Sequence, residues 1–284
     1  MFTTNSIVLS EDITSIFSSL SSILGQAFNS SFNKRIKKLF ANNEQGFFYD
    51  PNDLTTLYQD AAGTIPVTVV GQPVGLVKDK SGRNNHAYQT DSACKPKLQH
   101  NATTGAYYLA FDGSDDFLVT NSIDFSSTDE VSLFTGIRKL STIVGMVFEF
   151  SPNISTNNGS FYLASPAGMA QPNQVVFVNK GTLFVPTANP SLPPPISVVV
   201  SAAGSISTNT SILRTNGSQF ISFDNTGTGN YGNYPLYIGR RGGTTNPFNG
   251  HLYSLIGVGR LSTESETAAI EKELAKRTGV TLSV

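Results

Sequence analysis

The chain has 284 residues, with 19 Lys and Arg against 20 Asp and Glu for a formal net charge of −1, so it has no basic excess to lay along a nucleic-acid backbone. Cys94 is the single cysteine, which excludes an internal disulfide framework and a multi-cysteine metal cluster, and no apolar run reaches the ~18 residues of a membrane span. Hydrophobic residues at 39% suffice for a core, and Gly 25 with Pro 14 indicates many turns between short elements.

Residues 1–40 read differently from the rest. Ile13, Ile16, Leu20, Ile23 and Ala27 recur at spacings of three and four, flanked by Phe17, Leu24 and Phe28, which predicts a helix with one apolar stripe. Ser10, Glu11 and Asp12 supply a cap and early carboxylates, and Lys34, Arg35, Lys37 and Lys38 crowd before Leu39 and Phe40. Three partners suit such a stripe: its own globular domain, a second protein or copy, or a membrane surface. The N-terminus shows no charged leader ahead of an apolar stretch, so no signal peptide is expected. The expected division is an attachment and oligomerisation arm over residues 1–40 and a second domain over 41–284, the arm using Ile13, Ile16, Phe17, Leu20, Ile23, Leu24 and Phe28.

From Phe47 onward the pattern is all β. Runs rich in β-branched and aromatic residues fall at Tyr107–Phe111, Phe117–Thr120, Val131–Arg138, Ile143–Phe150, Gln174–Val178, Ile196–Val200, Ser211–Thr215, Gln219–Phe223, Leu236–Ile238 and His251–Val258. Asn216-Gly217 accepts the positive φ angles of a type I′ turn and predicts a hairpin. Pro186 to Pro195 is expected to be a loop. A surface helix over 264–277 closes the chain, with Thr263 and Glu266 as a capping box and Gly279 as a left-handed stop.

Three stretches in this order carry a resemblance: GFFYDPNDLTTLYQDAAGTIPVTVVGQPVGLVKDKSGRNNHAYQ, then YYLAFDGSDDFLV, then LYIGRRGGTTNPFNGHLYSLIGVGRLSTESETAAIEKELAKRTGV. Together they resemble LamG-like, concanavalin A-like jelly-roll domains. The DKSGRNNHA segment resembles versions found in bacteriophage tail and virion-associated proteins. The resemblance covers about residues 44–280. It implies an all-β jelly-roll sandwich and a phage-particle setting, with the N-terminal arm and the short C-terminal helix attached to the sandwich.

Few residues suggest chemistry. Asp112, Gly113, Asp115 and Asp116 read as a structural turn, since Gly113 permits the bend and Asp side chains accept from nearby backbone N–H groups. The competing reading, a calcium ion, calls for six to eight oxygens, usually from several loops. Glycosidic hydrolysis normally needs two carboxylates, and Glu149 stands alone among apolar neighbours. His86, His100 and His251 lack metal-ligand spacing, and His86 reads as a loop residue making a backbone contact. Cys94 has no base nearby in sequence and reads as an inert thiol. Arg240 and Arg241 read as a solvated strand-end pair. The loop NTGTGNYGNYP places Tyr231 and Tyr234 beside Asn230 and Asn233, which reads either as a turn-rich loop whose tyrosines cover the sandwich edge or as a combination able to stack on a sugar and bind its hydroxyls.

The sequence therefore predicts a non-enzymatic virion structural protein, in capsid decoration or in a tail or fibre. It would display a lectin-like sandwich toward host-surface glycans and join other virion proteins, or further copies of itself, through the arm. No cofactor, metal, nucleic acid or membrane span is expected. The alternatives are a tail-associated glycan hydrolase and a cellular carbohydrate-binding module.

Overall fold

Short strands with one apolar face bury that face by stacking two sheets, and this chain does so. The computed structural model describes residues 31–166 and 171–283. Strands are numbered in chain order. One sheet runs β15 (Ser218–Ser222), β14 (Thr210–Thr215), β13 (Ile196–Ser205), β8 (Glu130–Lys139), β17 (Asn249–Val258), β6 (Tyr107–Asp112) and β5 (Lys97–His100), with β1 (Gly46–Tyr49) also on β17. The other runs β12 (Phe184–Asn189), β11 (Val175–Lys180), β10 (Ser160–Ala164), β9 (Met146–Phe150), β16 (Asn233–Ile238), β7 (Leu118–Asp124), β4 (Ala87–Tyr88), β3 (Leu76–Val77) and β2 (Leu57–Tyr58).

All pairings within these sheets are antiparallel. The molecule is an all-β two-sheet sandwich. Its core lies between the sheets, where Phe47, Leu109, Phe111, Phe125, Phe148, Phe150, Phe161, Phe177 and Leu236 are buried. The β14–β15 hairpin turns on Asn216 (φ 52) and Gly217 (φ 88), as the dipeptide predicts. The stretch expected as a loop from Pro186 begins instead inside β12, where Pro186 pairs with Val178. A proline is tolerated there because β12 is an edge strand, which need not donate on its free side. Strands of two residues, such as β2 to β4, are too short to show alternation in the sequence.

Two helices cover part of the outer face of the eight-stranded sheet. Residues 31–38 form α1, and α2 spans Glu264–Thr278 with its capping box and Gly279 stop in place. Phe32, Ile36, Leu39 and Phe40 pack with Phe48, Phe134, Ile256, Ile270 and Leu274 in a second apolar cluster. Residues 31–40, assigned from sequence to the arm, are thus part of the sandwich's own packing. Lys34, Arg35, Lys37 and Lys38 stay on the exposed side of α1. The stripe residues Ile13, Ile16, Phe17, Leu20, Ile23, Leu24 and Phe28 lie outside the described residues.

Helix α2 also buries charge, beyond the few apolar contacts the sequence suggests. Arg214 on β14 donates to both oxygens of Glu271, at 2.9 and 3.2 Å, a bidentate pair that holds helix to sheet. Arg277 donates to Asp50 at 2.6 Å, and Lys80 pairs with the same carboxylate at 3.4 Å. Burial would raise the Asp50 pKa, but these two cations hold it below the ordinary carboxylate value. In the DKSGRNNHA segment, Asp79 accepts from the backbone N–H groups of Phe48, Ser81 and Asn85. That carboxylate pins the turn to β1, which accounts for the segment structurally.

Candidate functional site

The FDGSDD turn joins β6 to β7. Gly113 adopts φ +78, Asp112 Oδ1 accepts from Ser114 N–H at 2.7 Å, and Asp116 Oδ2 accepts from Asp112 N–H at 3.0 Å. Its own carboxylates close it, so the turn reading describes its geometry. A Cβ on Gly113 would stand 2.7 Å from Asn249 Cβ, because the turn packs down on the first residue of β17.

This packing opens a groove of about 480 Å³ on the half of the eight-stranded sheet's outer face that the helices leave bare. Register explains its composition. Leu98, Leu109, Phe111 and Leu252 point into the core. The alternate residues Lys97, Ala110 and His251 lie side by side on the opposite face, because Lys97 pairs with Ala110 and Ala110 with His251. Asp112, Asp116, Asn249, Gln99, Ser92 and Lys95 complete the polar lining.

Two groups in the groove are shifted far from their ordinary ionisation. Burial first, then the neighbouring charges of Asp112 and Asp115, push Asp116 up to about 7, against the lowering effect of its hydrogen bond from Asp112 N–H. Burial and the charge of Arg138 pull His251 down to about 4. The neutral His251 ring stacks on Tyr108 at 4.1 Å, and its Nδ1 is buried with no hydrogen-bond partner among the described residues. Between about pH 4 and 7 the groove therefore offers a carboxyl that both donates and accepts, a neutral imidazole, side-chain amides and the ammonium groups of Lys95 and Lys97. Such a set suits a ligand with many hydroxyls.

Asp112, Asp115 and Asp116 bring carboxylate oxygens within 4.8 Å of one another, the acidic group among the described residues that could hold a cation. Two of the three already accept backbone N–H groups within the turn, and three side chains fall short of calcium's six to eight oxygens. Glycosidases place an acid and a second carboxylate on either side of the scissile bond. Here all three carboxylates spring from one turn, and among the described residues no carboxylate lines the groove opposite them.

In the NTGTGNYGNYP loop the structure corrects the sugar reading at Tyr231. Tyr231 is 1% exposed, packs edge-on to Phe161 and donates its hydroxyl to Asn179 Oδ1 at 2.8 Å. A ring held in the core cannot stack on a sugar. Tyr234 packs on Phe150 and donates to Asn158 O, while Asn230 donates to Ser126 O and Asn233 remains exposed. Nor are Glu149 and Arg241 as the sequence suggests. Glu149 is fully buried and accepts from Arg241 Nε at 2.8 Å and from Ile154 N–H, so the arginine is no solvated strand-end residue. His86 Nδ1 accepts from Asp79 N–H, the backbone contact expected of it. Burial and the charge of Asp91 raise the Cys94 thiol, in keeping with an inert cysteine.

Lys97, Gln99, Asn249 and His251 were not legible as a site, because β5, β6 and β17 are brought together across about 150 residues of chain. The one usable signal was alternation within HLYSLIGV, which places His251 opposite the apolar face.

No family model matches the sequence, and no curated protein matches it. Solved structures are similar in fold. The botulinum neurotoxin serotype D binding domain aligns with a TM-score of 0.53 and 11% identity over 78% of this chain and 51% of that one. A botulinum neurotoxin type C structure, described by its interaction with two ganglioside molecules, gives 0.53 and 12% over 82% and 52%. The binding domain of botulinum neurotoxin DC in complex with SialylT gives 0.52 and 12% over 79% and 52%. The chain spans about half the length of these proteins, and the likeness shows a shared β-sandwich fold.

Proposed function

We propose that this protein is a non-enzymatic, glycan-binding β-sandwich carried on a bacteriophage particle, with the groove beside the FDGSDD turn as its sugar site. The observation that carries the binding role is the groove itself, where Asp116, Asn249, Gln99, Lys97 and His251 converge on one cavity. The names of the similar structures favour the same ligand class, since they mention gangliosides and SialylT. The particle setting rests on the sequence resemblance of residues 44–280 to phage virion-associated domains. In this reading the stripe of residues 13–28 joins the sandwich to other virion proteins or to further copies of the chain.

The test is binding of the full chain to purified capsular polysaccharides and lipopolysaccharides of candidate hosts. Asp116→Ala and Asn249→Ala should each abolish retention while the far-ultraviolet circular dichroism spectrum is kept. Release of reducing ends by the wild-type chain, lost in Asp116→Asn, would replace this reading with a hydrolase. Mass spectrometry of purified particles, with localisation by cryo-electron microscopy, tests the setting; absence of the chain from particles would sink it.

A further inference from the structure

The nine-stranded sheet carries a second feature on its outer face, remote from the groove. In register, Tyr58 lies opposite Leu76, Leu76 opposite Tyr88, Tyr88 opposite Val119, and Val119 opposite Tyr237. The row continues from Tyr237 to Glu149 and from Glu149 to Tyr162. Directly paired residues share a face of the sheet. Their chain neighbours Leu57, Val77, Ala87, Leu236, Phe148 and Phe161 point the other way, into the core. Tyrosine thus occurs on every second strand: β2, β4, β16 and β10.

Adjacent strands lie about 4.8 Å apart, so the four tyrosines recur about every 9.6 Å along a line perpendicular to the strands. All four are partly exposed. Lys78 Nζ sits 4.4 Å from the Tyr58 ring centroid at one end, and the Arg241 guanidinium lies 5.3 Å from that of Tyr162 at the other. Hydrogen-bonding groups stand beside the row: the Tyr88 hydroxyl donates to exposed Asn121 at 3.2 Å, and Arg241 holds Glu149. This end of the row is closed by Ile154, whose N–H reaches the buried Glu149 and whose side chain packs with Val176 and Val178.

The geometry points to a binding strip for a single extended β-1,4-linked glycan chain. In such a chain each pyranose is turned over relative to the one before, so the same ring face returns at every second sugar. That repeat matches two strand spacings. Tyr88 and Tyr237 meet the C–H-rich faces of two sugars one repeat apart, while Asn121, Lys78 over the Tyr58 ring and Arg241 over the Tyr162 ring meet hydroxyls. The sheet's twist of about 20–25° per strand rotates successive tyrosines by about 40–50°. A soluble chain can follow that turn, whereas a flat crystalline surface cannot. The strip does not depend on the groove.

Isothermal titration calorimetry of the full chain with β-1,4-linked glucose and N-acetylglucosamine oligomers of two, four and six residues tests this. Affinity should rise with length to the hexamer. Tyr88→Ala and Tyr237→Ala should each weaken the hexamer about tenfold and flatten the length dependence. Tyr237→Phe should bind as the wild type does, since the ring is kept. Melting temperatures confirm that each variant folds; if Tyr237→Ala does not, Tyr88→Ala carries the test. Failure of wild type to bind either hexamer would overturn the proposal, as would unchanged binding in the double alanine variant. Retention on crystalline cellulose without binding to soluble chains would overturn it as well.

Discussion

Asp116 and His251 line the same groove and are shifted in opposite directions, so their effects on stability oppose each other. The folded state holds a proton on Asp116 up to about pH 7, whereas the unfolded carboxyl releases it near its ordinary value of 3.8. Raising the pH between those values therefore favours the unfolded chain. For His251 the unfolded ring binds a proton up to about 6.5 and the folded ring only below about 4, so rising pH favours the folded chain. Separating the two gives a clear expectation. Asp116→Asn, which keeps an acceptor for Asp112 N–H, should show a melting temperature that climbs between about pH 4 and 6.5. His251→Gln should show one that falls from about pH 4 to 7. Identical pH profiles for the two variants would refute the assignment. Tyr231 provides a second residue-scale check. Tyr231→Phe removes the donor to Asn179 within the core and should cost about 1–3 kcal/mol in denaturant unfolding, while leaving any sugar binding unchanged.

At the scale of elements, the informative boundary lies within the first forty residues. Phe32, Ile36, Leu39 and Phe40 are buried against the sandwich and α2, each contributing about 1.5–3 kcal/mol. Removing residues 1–30 should leave the melting temperature nearly unchanged. Removing residues 1–40 should lower it by many degrees, because Phe48, Phe134 and Ile256 lose their cover. Equal stability of the two truncated chains would show that α1 contributes nothing. The basic cluster of α1 fits this picture, since Lys34, Arg35, Lys37 and Lys38 occupy the face that packing leaves to solvent.

For the whole molecule, two expectations follow from how the sandwich is held together. Its described residues close their turns with side-chain and backbone hydrogen bonds, so chelator should not shift the melting temperature. A drop of many degrees would show that Asp112, Asp115 and Asp116 hold a structural cation. Leu20→Asp places a charge in the stripe of residues 13–28 and should abolish self-association or particle binding without altering the β-rich spectrum. Sedimentation and particle-binding assays decide this, and normal assembly of the variant would remove the stripe from the attachment role.

Local chemistry is legible from residues a few positions apart. The type I′ hairpin at Asn216-Gly217, the capping box of Thr263 and Glu266 and the Gly279 stop each depend on residues a few positions apart. The turn of Asp112 and Asp116 does too. Alternation of apolar residues likewise announced ten strands and a two-sheet sandwich. Contacts between residues distant in the chain emerge only once the sheets are packed. Tyr231 and an exposed tyrosine look alike in NTGTGNYGNYP, and only the packing of Phe161 and the hydroxyl of Tyr231 on Asn179 draw that ring inward. Glu149 looks isolated until Arg241 reaches it from 92 positions away. The groove and the tyrosine row were hidden for one reason. Each is assembled by strand register, which pairs residues across tens to more than a hundred positions, and register is fixed when both apolar faces are buried at once.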